Sequence, residues 1–160
     1  MKEESNSDAR LTPAPIEAHL TLGLTVEFAL KVIGRVESPL RSRDQAPKQG
    51  EEGSPLAMLV FDPFVIDALS GIRIGDRLLL LTWLDRADRS VMRVHPRDDR
   101  TKPLYGVFST RSQDRPNPIG VHRVTVVSIV DALRFQVKDL EAFDGTPIID
   151  VKATLANLVE

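Results

Sequence analysis

Between Gly106 and Gly120 the chain reads GVFSTRSQDRPNPIG, and residues 109–117 alone carry three hydroxyls, two guanidiniums and two side-chain amides. Arg111 and Arg115 have the planar fork that grips a carboxylate or a phosphate through two parallel hydrogen bonds. Asn117 offers donors and an acceptor suited to a base edge or an amide. Pro116 and Pro118 bias their predecessors, Arg115 and Asn117, toward extended backbone, so the loop is stiff and its polar groups are aimed before a ligand arrives. An isolated Pro-Asn-Pro is ordinarily only a turn; the density of polar groups around this one marks it as the functional centre. Three other stretches carry weaker signals. Ala46-Pro47-Lys48-Gln49 reads by itself as linker. His95-Pro96-Arg97-Asp98 closes a strand, with His95 as a structural histidine. Asp144-Gly145, in DLEAFDGTP, reads as a tight turn before a strand.

Charge distribution says more than net charge. The 160 residues sum to −2, yet residues 86–123 hold nine Arg or Lys against four Asp, a net +5, while the remainder carries −7. That asymmetry predicts a basic face for an anionic partner, although arginines that merely solvate loops give the same signal. Cysteine is absent, which excludes disulfides, thiolate metal sites and cysteine nucleophiles. His19, His95 and His122 are too far apart for a histidine metal motif, so no metal is expected. No window of about 18 apolar residues occurs, and the polar start MKEESNSDAR is unlike a signal peptide. The expectation is a soluble cytoplasmic protein with no membrane contact.

The elements that must position these groups read as strands. Residues 1–27 read as an N-terminal extension, partly flexible, with Pro13 and Pro15. A strand pattern starts at Phe28 and runs over 28–36. A long polar loop follows over 39–55, with three prolines, two glycines and six charges; loops of that length are usually functional or disordered. Further strands are predicted over 56–61, 77–84, 90–95, 105–109, 123–130, 133–138 and 148–152. One short helix is predicted over 63–70, with Asp62 as N-cap, Pro63 in the first turn and Gly71 as its stop. Strands follow strands without alternating helices. The fold class is therefore all-β, a small single-domain β-barrel with one short helix over 28–160, because closure removes open edges.

Five blocks in order carry a specific resemblance: V-I-G-R-V-E-S-P, P-K-Q, V-H-P-R, G-V-F-S-T-R-S-x-x-R-P-N-P-I-G and D-G-T-P-I-I-D-V-K. Together they resemble the TrmO family, also known as TsaA-like or YaeB-like proteins, over about residues 30–152. The resemblance implies a β-barrel, S-adenosylmethionine-dependent methylation of N6 of threonylcarbamoyladenosine at position 37 in the tRNA anticodon loop, and a homodimer with the cofactor near the subunit interface. Carried onto this chain, it implies cofactor contacts at Pro47, Lys48, Gln49, Leu84, Asp85, Arg111, Val121, Asp144, Gly145 and Thr146. Arg115 and Asn117 are then left for the tRNA or the dimer interface. Methyl transfer from a sulfonium needs alignment more than acid–base machinery; Asp144 and Asp85 are the candidates for receiving the N6 proton.

The chain departs from the family at three points. Lys48 stands where arginine is frequent, Leu84 stands near a frequent histidine, and Val151-Lys152-Ala153 replaces Ile-Lys-Pro. Longer bacterial members add a C-terminal domain thought to help grip tRNA, which is not found up to Glu160. Two rival readings stay open on these grounds: a non-catalytic tRNA-binding or regulatory module that retains the fold, and a methyltransferase acting on another small substrate.

Overall fold

The computed structural model describes residues 28–154; the extension expected over 1–27 lies outside them. Eight strands follow in chain order: β1 Gly34–Glu37, β2 Ala57–Phe61, β3 Arg77–Trp83, β4 Arg93–Val94, β5 Tyr105–Gly106, β6 Ile119–Asp131, β7 Arg134–Lys138 and β8 Pro147–Ala153. Six close into a barrel in the order β1-β2-β7-β6-β3-β8. Every adjacent pair is antiparallel. β4 and β5 form a separate two-stranded ribbon. The barrel is the fold read from the sequence.

Alternation of side chains explains the wall. Leu78, Leu80 and Thr82 on β3 point inward, as do His122, Val124 and Val126 on β6 and Phe135 and Val137 on β7. Val36, Leu59, Leu80, Val137 and Ile148 are fully buried. Each contributes roughly 1.5–3 kcal/mol relative to exposure. Phe61 and Phe135 meet edge to face, ring centroids 5.8 Å apart. A register shift between β3 and β8 at Leu81/Thr82 is a bulge that bends the wall and re-aims the residues beyond it.

Several elements differ from the sequence reading, each for a local reason. β1 begins at Gly34, not Phe28, and Phe28 and Leu30 are exposed. The predicted helix is a 3-10 helix over Pro63–Leu69, and Asp62 makes no side-chain cap. It buries only Leu69, and a segment this short with adjacent β-branched Val65 and Ile66 gains too little to sustain α-helical hydrogen bonding. The predicted strand over 90–95 shrinks to Arg93–Val94. The one over 105–109 becomes Tyr105–Gly106 followed by a 3-10 turn, Val107–Ser109. β6 starts at Ile119, four residues before Arg123. Pro116 and Pro118 have no N–H to donate, so ladder pairing begins with the first residue after Pro118, opposite Trp83.

No helix among the described residues is long and apolar enough to cross a membrane. Among them no group of three or more His, Asp or Glu is arranged to hold a metal ion.

Candidate functional site

The 139–146 segment leaves β7 and carries most of the site. Asp139 turns the chain at φ 66°, a left-handed conformation that Asp tolerates better than most residues. Leu140 and Ala142 then enter the core, which leaves Glu141, Phe143 and Asp144 to face the surrounding loops. Gly145, at φ 81°, closes the turn in a conformation suited to glycine, and the Thr146 hydroxyl donates to the Phe143 carbonyl at 2.7 Å.

Glu141 lies at the centre of one cluster. Its Oε1 receives a hydrogen bond from His122 Nδ1 at 3.0 Å, and its side chain is 22% exposed. Burial pushes the carboxyl pKa up, but the His122 hydrogen bond and charge, with a smaller pull from Arg111, outweigh it and hold the group below its usual value. Gly50 packs directly behind: a Cβ there would fall 1.8 Å from the Asp139 carbonyl oxygen and 2.9 Å from Glu141 Oε2. Gly50, the residue after the Pro47-Lys48-Gln49 stretch, therefore has no room for a side chain against this cluster. Arg111 donates from Nη2 to the Val121 carbonyl at 2.8 Å, which leaves its remaining N–H groups for a ligand. Leu84 donates its backbone N–H to Pro118 at 2.8 Å, and its Cδ2 lies 3.1 Å from where a Cβ on Gly120 would sit. Of the residues expected from distant stretches, Arg111 acts on Glu141 by charge, Val121 precedes His122 and anchors Arg111, and Leu84 packs near Gly120, while the Gln49 amide donates to the Lys48 carbonyl at 2.7 Å.

Asp144 organises a second cluster. It accepts from the Ser38 backbone N–H at 3.0 Å and from Arg41 Nη1 at 2.7 Å. The Ser38 hydrogen bond is the main cause of its lowered pKa, with Arg41 adding to it. Arg86 donates to the Arg41 carbonyl at 2.8 Å and to the Asp144 carbonyl at 3.4 Å, with its guanidinium 5.6 Å from the Phe143 ring centroid. The neighbouring Asp85 is exposed and its carboxylate has no hydrogen bond among the described residues. Lys48 pairs with Asp98 of the 3-10 turn after β4. A hollow of about 530 Å³ beside β1 and β2 touches Asp144 but none of the other expected cofactor residues. Glu141 combines a partly buried carboxylate with the charge of Arg111, one of the expected cofactor residues, so its cluster is the candidate site in preference to the hollow.

The Pro-Asn-Pro loop is tied down by side-chain hydrogen bonds, and its arginines have separate jobs. Arg115 donates to the carbonyls of Ser112, Val107 and Thr110 at 2.7, 3.1 and 2.8 Å, so the loop itself occupies the guanidinium expected to meet substrate. Asp114 takes a bidentate grip from Arg43, at 2.9 and 2.6 Å, and the Asp88 N–H at 2.8 Å, tying the loop to both neighbouring loops. Asn117 is exposed.

His122 and Glu141 were not among the residues read from the sequence. A signal existed: extending the inward alternation of Val126 and Val124 backward puts His122 and Gly120 on the inner face, and a buried histidine requires partners. With β6 read as starting at Arg123, that histidine fell outside the strand.

The chain matches, over residues 35–158, the model of the tRNA-methyltransferase O N-terminal domain. It is 39% identical over 127 residues to a probable S-adenosyl-L-methionine-binding protein of Methanothermobacter thermautotrophicus, covering 79% of this chain and 90% of that one. It is 39% identical over 124 residues to an S-adenosyl-L-methionine-binding protein of Archaeoglobus fulgidus, covering 77% and 86%. Among solved structures it is similar to TrmO from Pseudomonas aeruginosa, with a TM-score of 0.64 and 25% identity over 81% of this chain. It spans 57% of that longer crystal chain.

Proposed function

The chain belongs to the tRNA-methyltransferase O N-terminal domain family, and from that premise we propose that it binds S-adenosylmethionine and transfers the methyl group to a tRNA base, with N6 of threonylcarbamoyladenosine as the acceptor. The observation that carries the reading is that Arg111, held by the Val121 carbonyl, lies near enough to the ionised Glu141 to lower its pKa by charge. An amino-acid zwitterion needs a guanidinium for its carboxylate and a carboxylate for its ammonium, and these two side chains supply both. Leu84 and Val121 offer apolar surface beside them.

The cofactor supplies a methyl group on a positively charged sulfur; the chain's contribution is alignment. Arg111 keeps one Nη on the Val121 carbonyl, so its fork is oriented before the ligand arrives. Of the two candidate proton acceptors, Asp144 has both oxygens engaged by Ser38 and Arg41 and is held ionised. Asp85, exposed at the end of β3, is the one free to take the N6 proton. The basic stretch supports an RNA partner: Arg100 and Arg123 are exposed and make no ion pair among the described residues. Phe108 is 79% exposed, and Met92, Leu104 and Tyr105 are exposed around it. Apolar surface of this kind suits a second copy of the chain, the homodimer.

Isothermal titration with S-adenosylmethionine tests the first half. The expected result is saturable binding; a folded protein that fails to bind at high micromolar concentration would abolish the proposal. Incubation with tRNA and cofactor, followed by mass spectrometry of nucleosides, tests the second half. Binding without methylated threonylcarbamoyladenosine would favour the non-catalytic module.

A further inference from the structure

His122 stands on the inward face of β6, 5% exposed. A buried imidazole is costly unless both nitrogens have partners, and both do. Nδ1 lies 3.0 Å from Glu141 Oε1 and Nε2 lies 2.9 Å from Thr82 Oγ1. A carboxylate only accepts, so Nδ1 carries a proton and donates to it, while Nε2 and the Thr82 hydroxyl share the second hydrogen bond. The relay runs from fully buried Thr82 on β3, through His122, to Glu141 at the edge of the site. Its space is secured by Gly120, opposite Thr82 in the ladder. A Cβ at Gly120 would lie 2.3 Å from Thr82 Oγ1 and 2.6 Å from His122 Nε2. The chemistry assigned so far uses Glu141 but neither His122 nor Thr82.

We propose that His122, seated by Thr82, is a positioning residue: it fixes the Glu141 carboxylate in one orientation, so that its exposed edge is presented to the cationic part of the methyl donor. The inference rests on the proposed reading of Arg111 and Glu141 as the two ends of the cofactor cradle. The charged groups that act on Glu141 are few. His122 comes from β6, Arg111 from the loop before it, and Asp139 lies on Glu141's own segment, while the 39–55 loop packs Gly50 against the carboxylate with Glu51 and Glu52 next in the same 3-10 turn. Of these only His122 donates a hydrogen bond to the carboxylate.

The test is isothermal titration of S-adenosylmethionine into the full chain between pH 5 and 8. His122→Leu is expected to bind roughly tenfold more weakly at pH 7, the scale of one hydrogen bond to a charged group. The loss is expected to grow toward pH 5, because a carboxyl released from the imidazole but still partly buried takes up its proton at a higher pH. His122→Asn, whose amide N–H can stand in for Nδ1–H, is expected to recover part of the affinity. Glu141→Gln is expected to bind weakly with little pH dependence. His122→Leu with a wild-type unfolding midpoint and affinity within twofold across the whole range would overturn the proposal, since a merely structural histidine predicts that. If His122→Leu does not fold, the isosteric Glu141→Gln decides: tenfold loss supports the proposal and wild-type affinity overturns it. Failure of the wild-type chain itself to bind sinks the cofactor reading instead, a separate outcome.

Discussion

The wall formed by β2, β7 and β6 and the cluster of loops around Glu141 are built on different physical terms. In the wall, Leu59, Phe135, Val137 and Val126 alternate with exposed or half-exposed neighbours and pair in register. Its stability comes from apolar area, which tolerates changes of residue identity but not of volume. The loop cluster is held by polar contacts between residues far apart in sequence: Arg43 with Asp114, Arg41 with Asp144, His122 with Glu141. Such pairs contribute little to stability when exposed, but each fixes a direction. Folding energy and ligand geometry are thus separable here, and substitutions should sort accordingly.

The largest effect on folding belongs to the wall. Leu80→Ala removes a fully buried side chain from β3 and is expected to cost about 2–5 kcal/mol in urea denaturation, while the molecules that stay folded bind S-adenosylmethionine with near wild-type affinity. A cost below about 1 kcal/mol would mean that the barrel interior is not packed as described. The converse is Arg111→Ala. Arg111 is exposed and its one hydrogen bond among the described residues is to the Val121 carbonyl, so stability is expected to change by no more than about 0.5 kcal/mol. Cofactor affinity is expected to fall roughly tenfold or more. If Arg111→Ala lowers stability and leaves affinity intact, the two regions are not separable in this way. Arg115→Lys sits between these extremes. A point charge cannot reach the three carbonyls that the planar fork spans. The 107–112 backbone is expected to exchange its amide hydrogens faster, with a modest loss of affinity; unchanged exchange would show that the loop does not depend on that fork.

The same division explains what the sequence made legible. The strand over 56–61, the strand over 77–84 and the β6–β7 hairpin were readable because each is set by its own alternation and turn residues. The start of β6 was not, because it depends on Pro118 presenting its carbonyl to Leu84 and on Ile119 pairing with Trp83, contacts with a strand some 35 residues away by register. Arg111 and Arg115 look alike as letters. Only the fold shows that one is oriented by a single carbonyl and the other consumed by three. Glu141 was hidden inside a turn motif, and His122 was counted as one of three scattered histidines, since neither reveals a partner 19 residues distant until the strands close.

The smallest effect expected is on pH dependence, and it isolates one tie of the loop cluster. Burial pushes the Asp114 carboxyl up, but the Arg43 hydrogen bond, the Asp88 N–H and the Arg43 charge outweigh it, so its pKa is lowered. A carboxyl with a lowered folded pKa stabilises the fold above its unfolded value, about 3.9, and that contribution is lost as pH falls through the folded pKa. Arg43 stays charged throughout, so the window belongs to Asp114. Asp114→Asn is expected to flatten part of the decline in stability between about pH 5 and pH 2, by a few tenths to about 1 kcal/mol, the range of surface pairs. Urea denaturation of both proteins at pH 6 and pH 3 measures it. An identical pH slope would show that the Arg43–Asp114 grip aims the loop without stabilising it, which is the division between wall and loop cluster carried to its limit.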